Sequence, residues 1–196
     1  MRSDLGIDPI AIDVGRLLQH SVPSLYSYLV TRPTGRAVRI AIEDQLSEMS
    51  GASLSIIDLS RVTVIDFSCA DEVVAKLLIR FLQEDRPGDV LFVFRGLDTR
   101  HHEPIQEVLK RQTLLTVTEG SDGRFELLGN RTDEEQHAWS VLESRGRIDM
   151  PEIPSVFPRV LHRRALNELV LRRVAFASPD PGGYHALSTL LSDPHE

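Results

Sequence analysis

Apolar positions along this chain follow two periods, short runs and helical stripes, and the two alternate. Leu54, Ile56, Ile57 and Leu59 form a run bounded by Gly51 and Ser60-Arg61. Its length suits a buried strand better than a helix. Val62, Val64 and Ile65 carry the apolar surface on to Asp66. Val73, Val74, Leu77, Leu78, Phe81 and Leu82 then recur at helical spacing. Ser68, with Asp71 three residues on, stands just ahead of that stripe and predicts a helix N-terminus.

The same alternation extends outward from this centre. Ile10-Ala11-Ile12 suggests a short strand, Gly15 to His20 a turn or two of helix, and Leu25 to Val30 a strand leading into Thr31-Arg32. Thr34 predicts the N-cap of a helix from Gly35 to Met49, with Val38, Ala41, Ile42, Leu46 and Met49 as its buried stripe and Ser50-Gly51 as its stop. After a turn at Arg86-Pro87-Gly88-Asp89, Val90 to Phe94 reads as a second buried strand and Gly96 to Arg100 as a loop. A helix over Glu103 to Gln112 has Pro104 in its first turn, where a missing N–H costs nothing. Leu114 to Thr118 is a strand, and Asp122-Gly123 turns the chain back into Phe125, Leu127 and Leu128. Strands separated by helices predict an α/β fold with a mixed, mostly parallel sheet and one antiparallel hairpin.

Beyond Gly129-Asn130 the pattern changes, which predicts two domains, residues 1–130 and 131–196. Asp133 to Ser144 is a helix with Trp139 and Leu142 inward, expected in a core of its own rather than against the sheet. Arg147-Ile148-Asp149 is a strand stub and Pro151 opens a short helix. Pro158 opens a longer one with Val160, Leu161, Ala165, Leu166 and Leu169 as its apolar face. Val174 to Ala177 and Tyr184 to Leu187 pair around a Pro/Gly turn at Pro179 to Gly183. Three helices and a hairpin resemble, by pattern alone, a small winged-helix-like α+β domain.

Composition narrows the function classes. A net charge of −7 gives the molecule as a whole no long-range pull on nucleic acid or anionic membrane. The single cysteine, Cys69, excludes an internal disulfide and a Cys-based zinc site. No N-terminal apolar run resembles a signal peptide and no stretch is long enough to span a bilayer, so a cytoplasmic protein is the expectation.

The central stretch resembles the STAS domain, the fold of anti-sigma-factor antagonists. The signature there is a strand reading roughly Asp-Leu-Ser-x-Val and then Ile-Asp-Ser-Ser-Gly at the next helix. Here the matching residues are Asp58-Leu59-Ser60-Arg61-Val62 and Ile65-Asp66-Phe67-Ser68-Cys69. A STAS-like family of unassigned role is closer, through Thr31-Arg32, Asp66-Phe67 and Asp71-Glu72. The resemblance covers residues 25–128. It implies a STAS-like fold for that half and a non-enzymatic role, binding a signalling protein such as an anti-sigma factor or a histidine-kinase-type ATPase. It also implies that Ser68 occupies the position of a phosphorylated serine.

The bottom-up reading of Ser68 is plainer: a hydroxyl that caps a helix, with Asp66, Asp71 and Glu72 crowding any phosphate placed there. Phe67 and Cys69-Ala70 also depart from the family's serine and glycine. Two parallel βα units bring two helix starts to one edge of the sheet. Arg32, Arg36 and Arg39 lie around the start of one of them; Arg32 or Arg36 would then pair with Asp71 or Glu72, or else the arginines build an anion or nucleotide site. His101-His102-Glu103 lacks metal-ligand spacing and suggests a solvated loop or helix start. Cys69 is a small packed residue or a thiol activated by the helix start. No constellation of catalytic residues, metal ligands or cofactor motifs emerges. Residues 155–173 carry Arg159, His162, Arg163 and Arg164, with Arg172 and Arg173 after them. One basic helix face is the footprint of phosphate contact, so the alternative function is a DNA-binding regulator whose STAS-like half senses or dimerises. Against it, residues 131–196 hold eight arginines and ten acids.

Overall fold

The computed structural model describes residues 7–21, 28–47, 51–179 and 182–191. In chain order the elements begin with β1 (Asp8–Asp13), α1 (Val14–Ser21), β2 (Tyr28–Leu29), α2 (Arg32–Ser47), β3 (Ala52–Asp58) and β4 (Val64–Ile65). A continuous helix follows, made of α3 (Phe67–Ala70), a π-helical segment (Asp71–Lys76) and α4 (Leu77–Leu82). Then come β5 (Asp89–Arg95), α5 (Thr99–Arg111), β6 (Leu115–Glu119) and β7 (Phe125–Gly129). The C-terminal half holds α6 (Asp133–Arg145), β8 (Arg147–Asp149), α7 (Ile153–Val156), α8 (Val160–Leu171), β9 (Phe176–Pro179), β10 (Gly182–His185) and a 3₁₀ turn at Leu187–Leu190. Residues 25–27 of the expected second strand, Met49 and Ser50 at the end of the first long helix, and Asp180-Pro181 in the last turn lie outside the described residues.

The main sheet runs β1-β3-β5-β6-β7, parallel except for β7, as the alternation of strands and helices predicts. Four parallel strands laid down in sequence order, with right-handed crossovers, send every crossover helix to one face. On that face Val38, Ile42 and Leu46 of α2, Val73 and Val74, Leu77 and Phe81, and Ile105 and Leu109 of α5 pack on Ile57, Val90, Phe92 and Phe94.

The opposite face is equally apolar, because successive strand residues point to opposite sides. Leu54, Leu91, Val93, Leu115, Val117 and Leu127 form it, and they share one buried cluster with Trp139, Leu142, Phe157, Leu166 and Leu169. Trp139 therefore does not sit in a separate C-terminal core, as the pattern change at Asn130 suggested. The C-terminal half is the sheet's second covering layer. Two arginines staple it down. Arg172 donates to the Glu135 carboxylate (2.7 Å) and to the carbonyls of Thr113 (3.0 Å) and Asn130 (2.7 Å). Arg173 donates to Val90 O (3.1 Å) and Asp89 Oδ1 (2.5 Å).

Within that half, β8, β10 and β9 form an antiparallel sheet in the order β8-β10-β9. Ala165, Leu166 and Leu169 bury the inner face of α8, but Val160 and Leu161, expected on that face, are exposed. At 100° per residue, position 160 lies opposite 169, while position 161 lies 140° from 166 and on the flank of the buried stripe.

Candidate functional site

Three local features build the region where the two helix starts meet. At the first, Thr31 rather than Thr34 begins α2, with its Oγ1 accepting the Thr34 N–H (3.4 Å). The Thr31 carbonyl accepts both the Gly35 N–H (3.0 Å) and the Cys69 S–H (3.0 Å), so it ties α2 to α3. Gly35 allows that approach, since a Cβ there would stand 2.9 Å from Cys69 Cα.

At the second, Asp66 and not Ser68 is the N-cap of α3. Its Oδ1 accepts the Cys69 N–H (2.8 Å) and the Ser68 hydroxyl (2.9 Å). A carboxylate one turn ahead of the free N–H groups outcompetes a hydroxyl already inside the helix. Cys69 is fully buried, and burial followed by the nearby Asp66 charge pushes its thiol up to about 12. That removes the reading of an activated thiol, because the thiolate is the reactive form.

The third feature is a compact charge cluster around buried Glu72. Arg32 reaches both Asp71 (2.7 Å) and Glu72 (2.9 Å), the pairing expected from the sequence. Arg36 is exposed and joins neither acid; Arg39, one turn on, takes Glu72 (3.3 Å) and Glu43 (2.6 Å) instead. Lys76 bonds Glu72 and lies 3.5 Å from Asp71. The π-helical widening of Asp71–Lys76 makes this possible, because it brings residues four and five apart onto one side. Burial alone would raise the Glu72 pKa, but bonds from Lys76, Arg32 and Arg39 outweigh it and hold the carboxyl below its usual value. Sequence reading placed Arg39 with Arg32 and Arg36 near the start of α2 but did not pair it with Glu72, and it missed Lys76, although Arg39/Glu43 and Glu72/Lys76 each carry the i,i+4 spacing of a helical ion pair.

The cluster is internally neutralised: Arg32, Arg39 and Lys76 face Asp71, Glu72 and Glu43. An anion or nucleotide would have to displace the acids from these cations. Beside the half-exposed ends of Arg32 and Lys76, the region also presents large apolar side chains outward. Phe67 is 48% exposed at the start of α3, and Tyr28 (46%) and Val30 (38%) are exposed on either side of Leu29. The Leu29 carbonyl accepts the Asp66 N–H (2.8 Å), which sets the two segments side by side. Beside Phe67 an open depression is lined by Thr99, His102, Glu103, Gln106 and Lys110 of α5.

The His101-His102-Glu103 segment lies inside α5, which starts four residues earlier than expected, so Pro104 is past the first turn. His101 is buried, not solvated; its Nδ1 accepts the Asp98 N–H (3.2 Å) while Asp98 caps the helix by accepting the Arg100 N–H (2.7 Å). The Arg100 guanidinium draws the Asp98 pKa down to about 2. Among the described residues no group of three or more His, Cys, Asp or Glu could hold a metal ion, and no helix is long and apolar enough to cross a membrane.

The basic face expected on α8 is largely used internally. Arg163 donates to Phe157 O (3.2 Å), and His162 packs against His137 with ring centres 4.4 Å apart and the rings tilted by 41°. Arg172 and Arg173 are the staples to the sheet. Arg159 and Arg164 are left exposed. No protein-family model, curated protein or solved structure matches the chain.

Proposed function

We propose that the protein is a non-enzymatic regulator whose STAS-like N-terminal half binds a signalling protein through the surface around the start of α3. One observation carries this reading: the polar groups there are bonded to one another, while Phe67, Tyr28 and Val30 stand exposed beside them. Exposed aromatic side chains next to satisfied charges suit a protein surface better than a small anion. The resemblance of Thr31-Arg32 and Asp66-Phe67 to the STAS-like pattern adds the partner class, an anti-sigma factor or a histidine-kinase-type ATPase. The test is parallel affinity capture from native-host extract by the wild type and by Phe67→Arg, which alters an exposed side chain. A protein of either class held by the wild type and lost by the variant supports the assignment. Equal retention by both sinks it.

The DNA-binding alternative has its own support. The C-terminal order helix, strand, two helices, hairpin, with β8 pairing to the last strand, resembles that of a winged helix. Phosphate contact would fall to Arg159 and Arg164. Failure to shift any random-sequence duplex at low salt would remove this alternative, since such contacts give non-specific binding.

A further inference from the structure

The outward stripe of α8 reads Leu161, Arg164, Glu168, Leu171, at intervals of three, four and three residues. That is the spacing of a helix-pairing seam. All four are exposed, Leu161 by 57% and Leu171 by 69%. Among the described residues the side chains of Arg164 and Glu168 have no partner, although they are a turn apart on one helix. Two large aliphatic residues left in water and a free charge of each sign are what an unmade interface looks like.

The order of these residues says what fits there. Reversed, Leu-Arg-Glu-Leu becomes Leu-Glu-Arg-Leu. An antiparallel copy therefore sets Leu161 against Leu171 and Arg164 against Glu168, and the two-fold repeats both contacts. Self-complementarity of this kind is the requirement of an isologous dimer, in which residue i meets j and j meets i. We infer that α8 pairs with α8 of a second copy of this chain about a two-fold axis level with Leu166. The seam spans about 15 Å of helix. A single helix seam of that length buries less than the roughly 1,200–2,000 Å² of a stable interface, so the dimer is weak and forms only towards high protein concentration. This inference is independent of the surface at Phe67, and it occupies the helix face that the DNA reading requires.

Sedimentation equilibrium over roughly 1 µM to 1 mM protein tests it. The average mass should climb from the 22.0 kDa monomer towards twice that value. Arg164→Glu sets Glu against Glu and Glu168→Arg sets Arg against Arg, so each alone should weaken association at least tenfold. The double variant, Arg164→Glu with Glu168→Arg, restores opposite charges and should return to the wild-type constant. Both positions are exposed, and circular dichroism of each variant confirms that the fold is kept. A monomer at every concentration overturns the proposal. So does a dimer indifferent to Arg164→Glu, or a charge swap that fails to restore it.

Discussion

Asp66 decides how the central helix begins. Its carboxylate holds the Cys69 N–H and the Ser68 hydroxyl together, so the two residues have unequal weight. Asp66→Ala removes the cap and should cost about 1 kcal/mol. Ser68→Ala leaves the cap in place and should cost less than half of that. Chemical denaturation of both variants checks the ranking; equal losses would return the capping role to Ser68. The sequence placed a capping signal at the right helix but two residues late, because Ser68 and Asp71 fit the hydroxyl-x-x-acid pattern as well as Asp66 fits a lone cap. Nothing in residue type tells which oxygen wins. The backbone does: Asp66 is extended (φ −87°, ψ 170°), as an N-cap must be.

At the scale of elements, the Glu72 cluster joins α2 to the π-helical segment. Glu72 is buried, and removing its charge leaves Arg32, Arg39 and Lys76 with only Asp71 and Glu43 between them. Glu72→Gln should cost on the order of 3 kcal/mol, moderated because Arg32 and Lys76 reach water. The pH dependence follows from the depressed pKa of Glu72. A carboxyl lowered on folding contributes stability above its unfolded value, and that contribution is lost as pH falls through the folded one. Wild-type stability should thus drop on acidification below about pH 4, and Glu72→Gln should show a shallower drop over the same range. Identical acid profiles would mean that Glu72 is not the titrating link. The pairing of Arg32 with these acids was legible, since parallel βα units bring their helix starts to one edge. The choice of Arg39 over Arg36 was not, because it depends on the rotation of α2 set by the Gly35–Cys69 crossing.

For the whole molecule, strand order governs everything else. Because β1, β3, β5 and β6 follow in sequence, their helices cover one face and the C-terminal half covers the other. The strands themselves were legible as buried runs, and apolar residues on both parities of β3 and β5 already imply two covered faces. What supplies the second cover was hidden, since the turn at Gly129-Asn130 looks the same whether the next segment folds alone or folds back. Arg172 and Arg173 likewise read as part of a basic patch until their carbonyl and carboxylate partners are seen. Trp139, the only tryptophan, reports on the C-terminal half. Ile42 lies in the cluster on the opposite face of the sheet, and Ile42→Ala should cost about 3 kcal/mol there. The direct test is urea denaturation of the wild type and Ile42→Ala, followed by Trp139 emission and by far-ultraviolet circular dichroism. If both layers fold as one body on the shared sheet, Ile42→Ala lowers the Trp139 midpoint by as much as it lowers the circular-dichroism midpoint. A Trp139 midpoint unmoved by Ile42→Ala would contradict this and make residues 131–196 an independent domain.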